Sequence, residues 1–483
     1  MVDDTPVDSL IGEAIAEARI AQKKWASQSV GDRAAKLREL RFLATESVEK
    51  LVEEIKRIRS VSEAEIVATE MLPFFAACQF LEANAARILR PRKLSGRGRP
   101  RWLGAARSRV ERAPWGVVLI LAPSNYPFFL GATQVIQAAV AGNTVLFKPA
   151  PNCSGPAQIL GRWMEEAGFP PNLLQILPER VQAADEALKS GVDKVLLTGG
   201  SETGRSVLSA CAPHLIPATM ELSGMDAMIV RADADAGRVA KAVSFGLSVN
   251  RGKTCIAPRR IFVHRKIYPK VLESLTERLK STAFEAGLAG KLETVIKSAI
   301  EANAKVISGN YIPAESRLPM LLNAVPSDSP LWLGDHFAAV AALQIVDSDE
   351  EALDLLGESG FALGVSIFSE DVAAADRLQR DIIAGVVTIN DVIAPTADPR
   401  LPFGGRRTSG FGVTRGKEGL LEFTTPRVVI ERRSNSWAPH LEAEHPTDHQ
   451  LFLQFVRMGH SRKFSDRIRG LLGAIKLILQ RAS

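Results

Sequence analysis

The chain has 483 residues, which is enough for about three domains of ordinary size, each with its own hydrophobic core. Hydrophobic residues make up 46% and charged residues 24%, so global disorder and a fibrous repeat are excluded. The net charge of +6 is mild, and its meaning depends on where the cations lie.

The N-terminal part predicts long surface helices. From Val7 to about Arg59, apolar residues recur every three or four positions among many charges. The first six residues are acidic and lack an apolar core, so no secretory signal peptide is expected. Residues 90–109 contain cations, glycines and prolines but no acid, which predicts an exposed hairpin or loop.

From residue 113 onward, short apolar runs alternate with segments of helix length. The first runs are 117–121, 144–147, 173–177 and 194–197. Such alternation is typical of a parallel sheet with helices on both faces. Residues 113–147 carry no charge, but their prolines and amides favour a buried strand, a loop and a helix over a membrane span. Later runs at 260–263, 363–368 and 385–389 predict a second α/β unit.

The cysteine pattern predicts reduced thiols in a cytoplasm and neither a disulfide framework nor a zinc site. The four cysteines are widely spaced: Cys78, Cys153, Cys211 and Cys255. Arg251 and Lys253 lie within four residues of Cys255, and they would favour its nucleophilic thiolate if they faced the sulfur. A buried structural cysteine is the alternative, since free cysteines are mostly packing residues.

Two further segments carry candidate chemistry. Glu221 stands between apolar residues where a strand meets a glycine turn, and desolvation there would raise its pKa toward that of a general base. The alternative is a carboxylate that faces water at a strand end. The turn from Thr198 to Gly204 follows a strand and precedes a helix, so its backbone N–H groups could approach a phosphate. Here the alternative is simply a tight turn.

A block in the C-terminal half adds the most specific signature. Leu401 to Gly412 contains Pro-Phe-Gly-Gly and is followed by Glu418-Gly419-Leu420 and Phe423-Thr424. Together these segments resemble the NAD(P)-dependent, non-acylating aldehyde dehydrogenase superfamily, over about residues 10–433. The resemblance implies an α/β fold with a Rossmann-like cofactor domain, an α/β catalytic domain and a β extension for oligomerisation. The expected ranges are 1–94 and 110–222 (cofactor), 223–390 (catalysis), 95–109 and 391–433 (extension), and 434–483 (C-terminal tail).

The resemblance also implies a site and a reaction, the oxidation of an aldehyde to a carboxylic acid. Cys255 matches the family's catalytic thiol, Glu221 its base and Asn125 its oxyanion-stabilising amide. Attack by the thiolate on the aldehyde carbon would give an oxyanion held by Asn125 and by the Cys255 backbone N–H. Loss of a hydride to the nicotinamide would then leave a thioester on the sulfur. Glu221 would activate the water molecule that hydrolyses this thioester. No metal is expected, and NAD or NADP is expected at Pro123, Ser124, Lys148, Thr198, Gly199, Gly200, Gly204, Leu222, Asp335 and Phe337.

Several positions depart from the family pattern. Asp335 replaces a Glu that grips the nicotinamide ribose, and alanines replace the Gly-Pro after Phe337. Pro151 stands where NAD-preferring relatives often have a Glu on the adenosine ribose; without that carboxylate a 2′-phosphate is not repelled, so use of both NAD and NADP is expected. Two alternative functions stay open: a coenzyme A-acylating enzyme, which Glu221 disfavours, and a non-catalytic member whose tail serves a membrane or assembly role.

The tail predicts a basic amphipathic helix from Phe464 to Ser483. Its apolar residues fall on one helical stripe: Phe464, Ile468, Leu471, Leu472, Ile475, Ile478 and Leu479. Such a helix could lie in a membrane interface, pack on its own domain or a partner subunit, or dock in a groove of another protein. If it contacts lipid, the substrate is expected to be a lipophilic aldehyde.

The expected partners are therefore a small-molecule aldehyde and further copies of the chain, as a homodimer or homotetramer, with peripheral membrane contact through the tail as a further hypothesis. Nucleic acid is not expected, because no base-stacking aromatic residues alternate with the basic runs. The expected location is the cytoplasm, with the tail at the membrane surface if it binds lipid.

Overall fold

The structure is a computed structural model that describes residues 7–100, 103, 106–282, 284–286, 290–312, 315–432 and 444–482. The chain divides into two compact units. The first unit comprises Met1–Leu89 and Ala113–Thr425, and the second comprises Arg90–Arg112 and Pro426–Ser483.

The first unit begins with the helices predicted for residues 7–59: α1 (Val7–Ala26), α2 (Val30–Glu46) and α3 (Val48–Ile58). Two further helices follow, α4 (Glu63–Ile66) and α5 (Leu72–Ile88). The Ser29 and Ser62 hydroxyls cap α2 and α4 by accepting backbone N–H groups of the first turn. Within the described residues, Glu63–Ile88 is the one helical stretch long and apolar enough by composition to cross a membrane. Its buried side chains belong to the core of the first unit.

The second unit contains a three-stranded sheet and two C-terminal helices. Strands β1 (Arg92–Leu94) and β2 (Arg107–Pro114) form an antiparallel pair, as expected for an exposed hairpin. The third strand, Thr424–Glu431, follows β2 in the order of the sheet. The two helices are Asp448–His460 and Phe464–Ala482.

A six-stranded sheet organises the first half of the first unit. Its parallel strands are β3 (Val117–Leu121), β4 (Thr144–Lys148), β5 (Leu174–Ile176), β6 (Lys194–Gly199) and β7 (Ala218–Leu222). The helices between them are α6 (Phe129–Ala141), α7 (Ser154–Glu166), α8 (Val181–Lys189) and α9 (Ser201–Cys211). The strand, loop and helix predicted for residues 113–147 are confirmed.

This sheet is covered on both faces, which is why its strands are apolar throughout. Val118 and Ile120 of β3 face one hydrophobic core, and Val117, Leu119 and Leu121 face the other. Because successive side chains of a strand point to opposite faces, a strand buried on both sides carries no polar alternation. The doubly wound α/β class read from the sequence is confirmed.

A second, eight-stranded sheet follows. Its strands are β8 (Ala227–Val230), β9 (Arg260–His264), β10 (Phe284–Ala286), β11 (Lys305–Asn310), β12 (Ser316–Asn323), β13 (Val340–Val346), β15 (Gly364–Phe368) and β16 (Val386–Ile389). Among these, β10 and β11 run antiparallel to β12, and the other pairs are parallel. The associated helices are α10 (Ala236–Ser248), α11 (Tyr268–Lys280), α12 (Lys291–Glu301), α13 (Pro330–Leu333), α14 (Asp349–Glu358) and α15 (Val372–Leu378).

The segment after this sheet returns to the first one. Short strands β14 (Phe361–Ala362) and β17 (Arg406–Arg407) pair with each other, and β18 (Gly410–Phe411) pairs antiparallel with β7. Helix α16 (Gly416–Glu422) then leads into β19, the strand Thr424–Glu431 described above. Residues 409–411 therefore lie along β7, and the Cα of Gly410 is paired with that of Glu221. The domain ranges expected from the resemblance stay predictions.

Candidate active site

Most of the predicted site residues line one cavity of about 1310 Å³ in the first unit. Those on the six-stranded sheet follow the carboxyl ends of β3, β4, β6 and β7, which meet at one edge because the strands are parallel. The lining includes Pro123, Ser124, Asn125, Lys148, Thr198, Gly199, Gly200, Glu221, Leu222, Cys255, Asp335 and Phe337.

Gly204 is the exception, since it does not line the cavity. It lies in α9, where a Cβ would come 2.7 Å from a methyl group of Leu222. The missing side chain therefore lets α9 approach β7 closely. Its role in this structure is helix–strand packing.

Cys255 follows a loop held in a restricted conformation. Asn250 and Arg251 adopt positive φ angles of 50° and 52°. A Cβ on Gly252 would lie 2.3 Å from the backbone nitrogen of Ala339, so the loop rests directly on residues 338–339. Backbone strain of this kind persists where the surroundings fix it and is concentrated at functional sites. Cys255 is also partly exposed, whereas Cys78, Cys153 and Cys211 are buried.

A buried ionic network from the N-terminal helices fixes this loop. Arg59 donates to Asn250 Oδ1 (3.0 Å) and to Glu70 Oε1 (2.7 Å). Glu65 accepts the Asn250 backbone N–H (2.8 Å), and Asn250 Nδ2 donates to the Asn125 carbonyl (2.7 Å). The network therefore joins the loop before the thiol to the loop that carries Asn125.

Glu70 also orders the start of α6. Its Oε2 accepts the backbone N–H groups of Phe128 (3.0 Å) and Phe129 (2.8 Å), which lie at the helix N-terminus. Glu70 is fully buried, and burial raises its pKa against the opposing effects of Arg59 and these two N–H groups. Arg59, Glu65 and Glu70 were not predicted as site residues, because they lie in an ordinary charged helical stretch.

The Asn125 side chain lies next to the thiol segment. Its Nδ2 donates to the Lys253 carbonyl (3.0 Å), and its Oδ1 accepts the Tyr126 N–H (3.0 Å). The Tyr126 hydroxyl is 2.6 Å from Thr254 Oγ1. A primary amide has two N–H donors, so Asn125 has a second N–H donor besides the one that the Lys253 carbonyl accepts.

The expected activation of Cys255 by Arg251 and Lys253 is not what the structure shows. Lys253 is exposed, and the Arg251 guanidinium lies 5.1 Å from the centre of the Phe284 ring. Short spacing in the sequence therefore did not bring these two cations to the sulfur. The cations that act on the thiol are Arg259 and Arg415, both buried and both missed.

Arg259 binds backbone carbonyl groups within residues 252–255, the segment that ends at the thiol. Its guanidinium donates to the carbonyl oxygens of Thr254 (2.8 Å), Gly252 (3.0 Å) and Cys255 (3.3 Å). Burial, with Glu221 and Asp226 nearby, raises the pKa of the Cys255 thiol to about 12 against the opposing charges of Arg259 and Arg415. The resting sulfur is therefore protonated, and the two arginines limit the cost of ionising it.

Glu221 lies inside the protein and does not face water, since its exposed fraction is 3%. Its Oε2 accepts the hydroxyls of Thr414 (3.1 Å) and Thr198 (3.4 Å). Within the described residues, Oε1 has no hydrogen-bond partner, although Glu221 borders the cavity. Burial raises the pKa of Glu221, and the Arg415 charge and the Thr414 hydroxyl oppose that rise. A buried oxygen without a partner is suited to binding a water molecule.

Arg415 is held between two aromatic rings. Its guanidinium carbon lies 4.4 Å from the ring centre of Phe403 and 5.8 Å from that of Phe129. Phe403 belongs to the Pro-Phe-Gly-Gly block, and its backbone pairs with Thr414. The block therefore positions two groups that act on Glu221, the Thr414 hydroxyl and the Arg415 charge.

The other part of the cavity is shaped for a nucleotide. Gly200 precedes α9 without a side-chain cap, so the first N–H groups of that helix are available to an anion. The nearest described atom to a Cβ on Gly200 would be 3.9 Å away, so glycine leaves space there. Lys148 is half-buried at the end of β4, two strands along the sheet from β6. Asp335 and Phe337 are exposed and also line the cavity. These residues fit a dinucleotide.

Comparison with known proteins identifies the family. The family model described as Aldehyde dehydrogenase family matches residues 8–429. The chain belongs to this family. The dehydrogenase is 30% identical to 4,4'-diapolycopene aldehyde oxidase of Methylomonas sp over 465 residues, with 93% of this chain and 87% of the relative covered.

Two more relatives are informative. A 4,4'-diaponeurosporen-aldehyde dehydrogenase of Staphylococcus aureus is 29% identical, with 68% of this chain and 74% of the relative covered. The NADP-dependent glyceraldehyde-3-phosphate dehydrogenase of Bacillus halodurans C-125, solved with NADP, superposes with a TM-score of 0.80 at 26% identity, covering 88% of this chain and 91% of that one. The dehydrogenase accordingly uses NAD or NADP to oxidise an aldehyde to a carboxylic acid.

Proposed function

We propose that Cys255 is the nucleophile, Glu221 the general base and Asn125 the oxyanion donor of this dehydrogenase, and that its substrate is a lipophilic aldehyde taken from a membrane surface. The observation that carries the catalytic assignment is that all three side chains border one cavity. Arg59, Glu70 and Arg259 are assigned as positioning residues, since they hold the loops that carry these groups.

The reaction begins when the Cys255 thiol releases its proton to water in the cavity and the sulfur attacks the aldehyde carbon. The carbonyl oxygen becomes an oxyanion, which the free N–H of Asn125 Nδ2 and the Cys255 backbone N–H stabilise. Lys148, the turn Thr198–Gly200, Asp335 and Phe337 would hold the cofactor, which would supply the hydride acceptor. Loss of a hydride from the former aldehyde carbon would leave an acyl thioester on Cys255.

Release of the acid depends on Glu221. Its carboxylate takes a proton from a water molecule at Oε1, and the resulting hydroxide attacks the thioester carbon. The carbon–sulfur bond breaks, the Cys255 sulfur regains a proton, and the carboxylic acid leaves. Thr198 and Thr414 hold the other carboxylate oxygen, which leaves Oε1 directed to this task.

The substrate class is supported by the relatives and by the C-terminal tail. Two of the three proteins named above act, by their names, on aldehydes of diapolycopene and diaponeurosporene, which are lipophilic. In the second unit, the tail helices α17 (Asp448–His460) and α18 (Phe464–Ala482) form a hairpin. The two helices approach closely at Gly470, where a Cβ would lie 2.6 Å from the Met458 backbone nitrogen. The missing side chain of this glycine permits the contact. A lipid-binding hairpin would suit an enzyme whose substrate dissolves in membranes.

The tail hairpin exposes apolar and cationic side chains together. Phe464, Leu472 and Leu479 are 75%, 60% and 65% exposed. The cations of the two helices and their connection include Arg457, Arg462, Lys463, Arg467, Arg469 and Lys476. Apolar area provides membrane affinity and cations favour anionic lipid, so an anionic membrane surface complements this hairpin on both counts.

The membrane proposal predicts that Phe464→Ser, Leu472→Ser and Leu479→Ser, combined, will reduce cosedimentation with vesicles containing phosphatidylserine by at least about tenfold, because three exposed apolar contacts are lost. Octadecanal carried in those vesicles should be oxidised more slowly by the variant, and propanal in solution at the native rate. Leu215→Ser, which removes an apolar side chain that is 89% exposed in the first unit, is the matched control. Equal sedimentation of variant and native protein would refute the membrane contact, and a native preference for propanal would refute the substrate class.

The dehydrogenase is also proposed to self-associate through β19. This strand lies at an edge of its three-stranded sheet, and Val428 and Ile430 on it are 60% and 67% exposed. An edge strand with exposed apolar residues is suited to pairing with a second copy. Light scattering should give a dimer or tetramer for the native chain and smaller species for Val428→Lys with Ile430→Lys. A monomeric native chain would contradict this proposal.

The proposed location is the cytoplasm, at a membrane surface. All four cysteines are free thiols, and three of them are buried. Free thiols fit a reducing compartment, where nicotinamide cofactors are also at hand.

A further inference from the structure

A carboxylate lies beside Lys148 even though position 151 is a proline. Glu179 follows β5, while Lys148 ends the neighbouring strand β4, and both side chains line the catalytic cavity. The Lys148 pKa is lowered by burial, and the charge of Glu179 opposes that effect. In the sequence, Pro178-Glu179-Arg180 stood out for its missing glycines, and the Glu179 carboxylate was not predicted to lie at this end of the cavity.

Glu179 is fixed by the backbone at the start of α7. Its Oε2 accepts the Asn152 N–H at 2.7 Å, and its Oε1 accepts the Ser154 N–H at 2.8 Å. Partial burial raises the pKa of Glu179, but these backbone donors outweigh it and the pKa is lowered. Glu179 is therefore a negative charge with a fixed position, which uses two N–H groups that a phosphate would otherwise bind.

A second carboxylate covers the same helix end. A Cβ on Gly155 would lie 2.1 Å from Glu54 Oε1, so the Glu54 side chain rests on the first turn of α7. The nearby cation Arg57 is paired with Glu54 at 2.6 Å. Lys148 and Arg57 thus face Glu179 and Glu54, and this end of the cavity carries no excess of positive charge.

We propose that Glu179 selects NAD over NADP by performing, from the end of β5, the function of the carboxylate that position 151 lacks. Each Glu179 oxygen keeps a second lone pair, which can accept a hydroxyl of the adenosine ribose. A 2′-phosphate at the same place meets two carboxylates and finds the N–H donors of α7 already used. The sequence predicted that the enzyme uses both NAD and NADP; with Glu179 in this position, we expect it to bind NAD more tightly than NADP.

Isothermal titration of the full-length protein with NAD and with NADP tests this proposal without relying on turnover. The native protein should bind NAD at least about tenfold more tightly than NADP, since one charge repulsion and one charged hydrogen bond separate the two. Glu179→Gln keeps the side-chain shape and removes the charge. It should weaken NAD binding and strengthen NADP binding, so that the ratio of the two dissociation constants falls by about tenfold.

The gain in NADP affinity is the decisive readout, because a misfolded variant cannot bind a ligand more tightly. Glu166→Gln, at the opposite end of α7, makes the same charge change on an exposed residue and should leave both dissociation constants unchanged. Native protein that binds NADP as tightly as NAD would overturn the proposal. So would a Glu179→Gln variant whose dissociation constants match those of native protein.

Discussion

Cys255→Ala should lower the rate of aldehyde-dependent NAD(P)H formation by at least about a thousandfold, because Cys255 is the partly exposed thiol of the cavity, whereas Cys153, which also lines it, is buried. The variant should still bind the cofactor, since the cofactor-binding part of the cavity is formed by other residues. The measurement is NADH or NADPH absorbance with octadecanal and with propanal, alongside calorimetric binding of the cofactor.

A second cysteine variant provides the control for this result. Cys211 is buried at the end of α9 and does not line the cavity. Cys211→Ala should keep near-native turnover, which separates the loss of a thiol in general from the loss of this thiol. Substantial oxidation by Cys255→Ala would show that the nucleophile has been assigned to the wrong residue.

Glu221→Gln should stop the reaction after the first half. Because the amide cannot take a proton from water, one equivalent of reduced cofactor should form per subunit and then accumulate only slowly. The steady-state kcat should fall by about a hundredfold to ten-thousandfold, the usual contribution of a general base. Stopped-flow absorbance measures the initial burst, and trapping of acylated Cys255 by mass spectrometry identifies the species that accumulates.

The pH dependence of the native enzyme follows from the same carboxylate. Burial raises the pKa of Glu221, and only its ionised form can act as base, so steady-state turnover should fall as the pH drops through that raised pKa. The acid limb should therefore lie above about 4.3, the ordinary value for glutamate. Glu221→Gln should lose this limb, while Glu273→Gln on the surface of α11 should retain it. An acid limb at the ordinary glutamate value, or a Glu221→Gln variant with full turnover, would refute the role of Glu221.

The sequence predicted those parts of the site that are encoded in short motifs. Cys255, Glu221, Asn125 and the turn after β6 each lie in a local pattern, and the parallel sheet brings such patterns to one edge. The burial of both faces of the sheet could also be predicted, because it requires strands that are apolar throughout.

Groups that act across long sequence separations were not predicted. Arg59 contacts Asn250 across 191 positions, and a charged residue in a helix gives no local sign of such a partner. Spacing likewise suggested Arg251 and Lys253 as the activating cations. Which side chains point into the protein depends on the backbone of the loop, and the buried cations that act on the thiol are Arg259 and Arg415. Glu179 was missed because its partner, the start of α7, lies about 25 residues earlier in the chain.

The Arg59–Glu70 pair couples the stability of the first unit to the activity of the enzyme. Both side chains are almost fully buried, and loss of one partner would leave an uncompensated charge in the interior at a cost of about 3–5 kcal/mol. The same pair anchors the thiol loop, so weakening it disorders the catalytic apparatus and loosens the fold together. Heat inactivation should therefore coincide with melting of the whole first unit, and a thermostable variant of this enzyme would need to preserve that single junction.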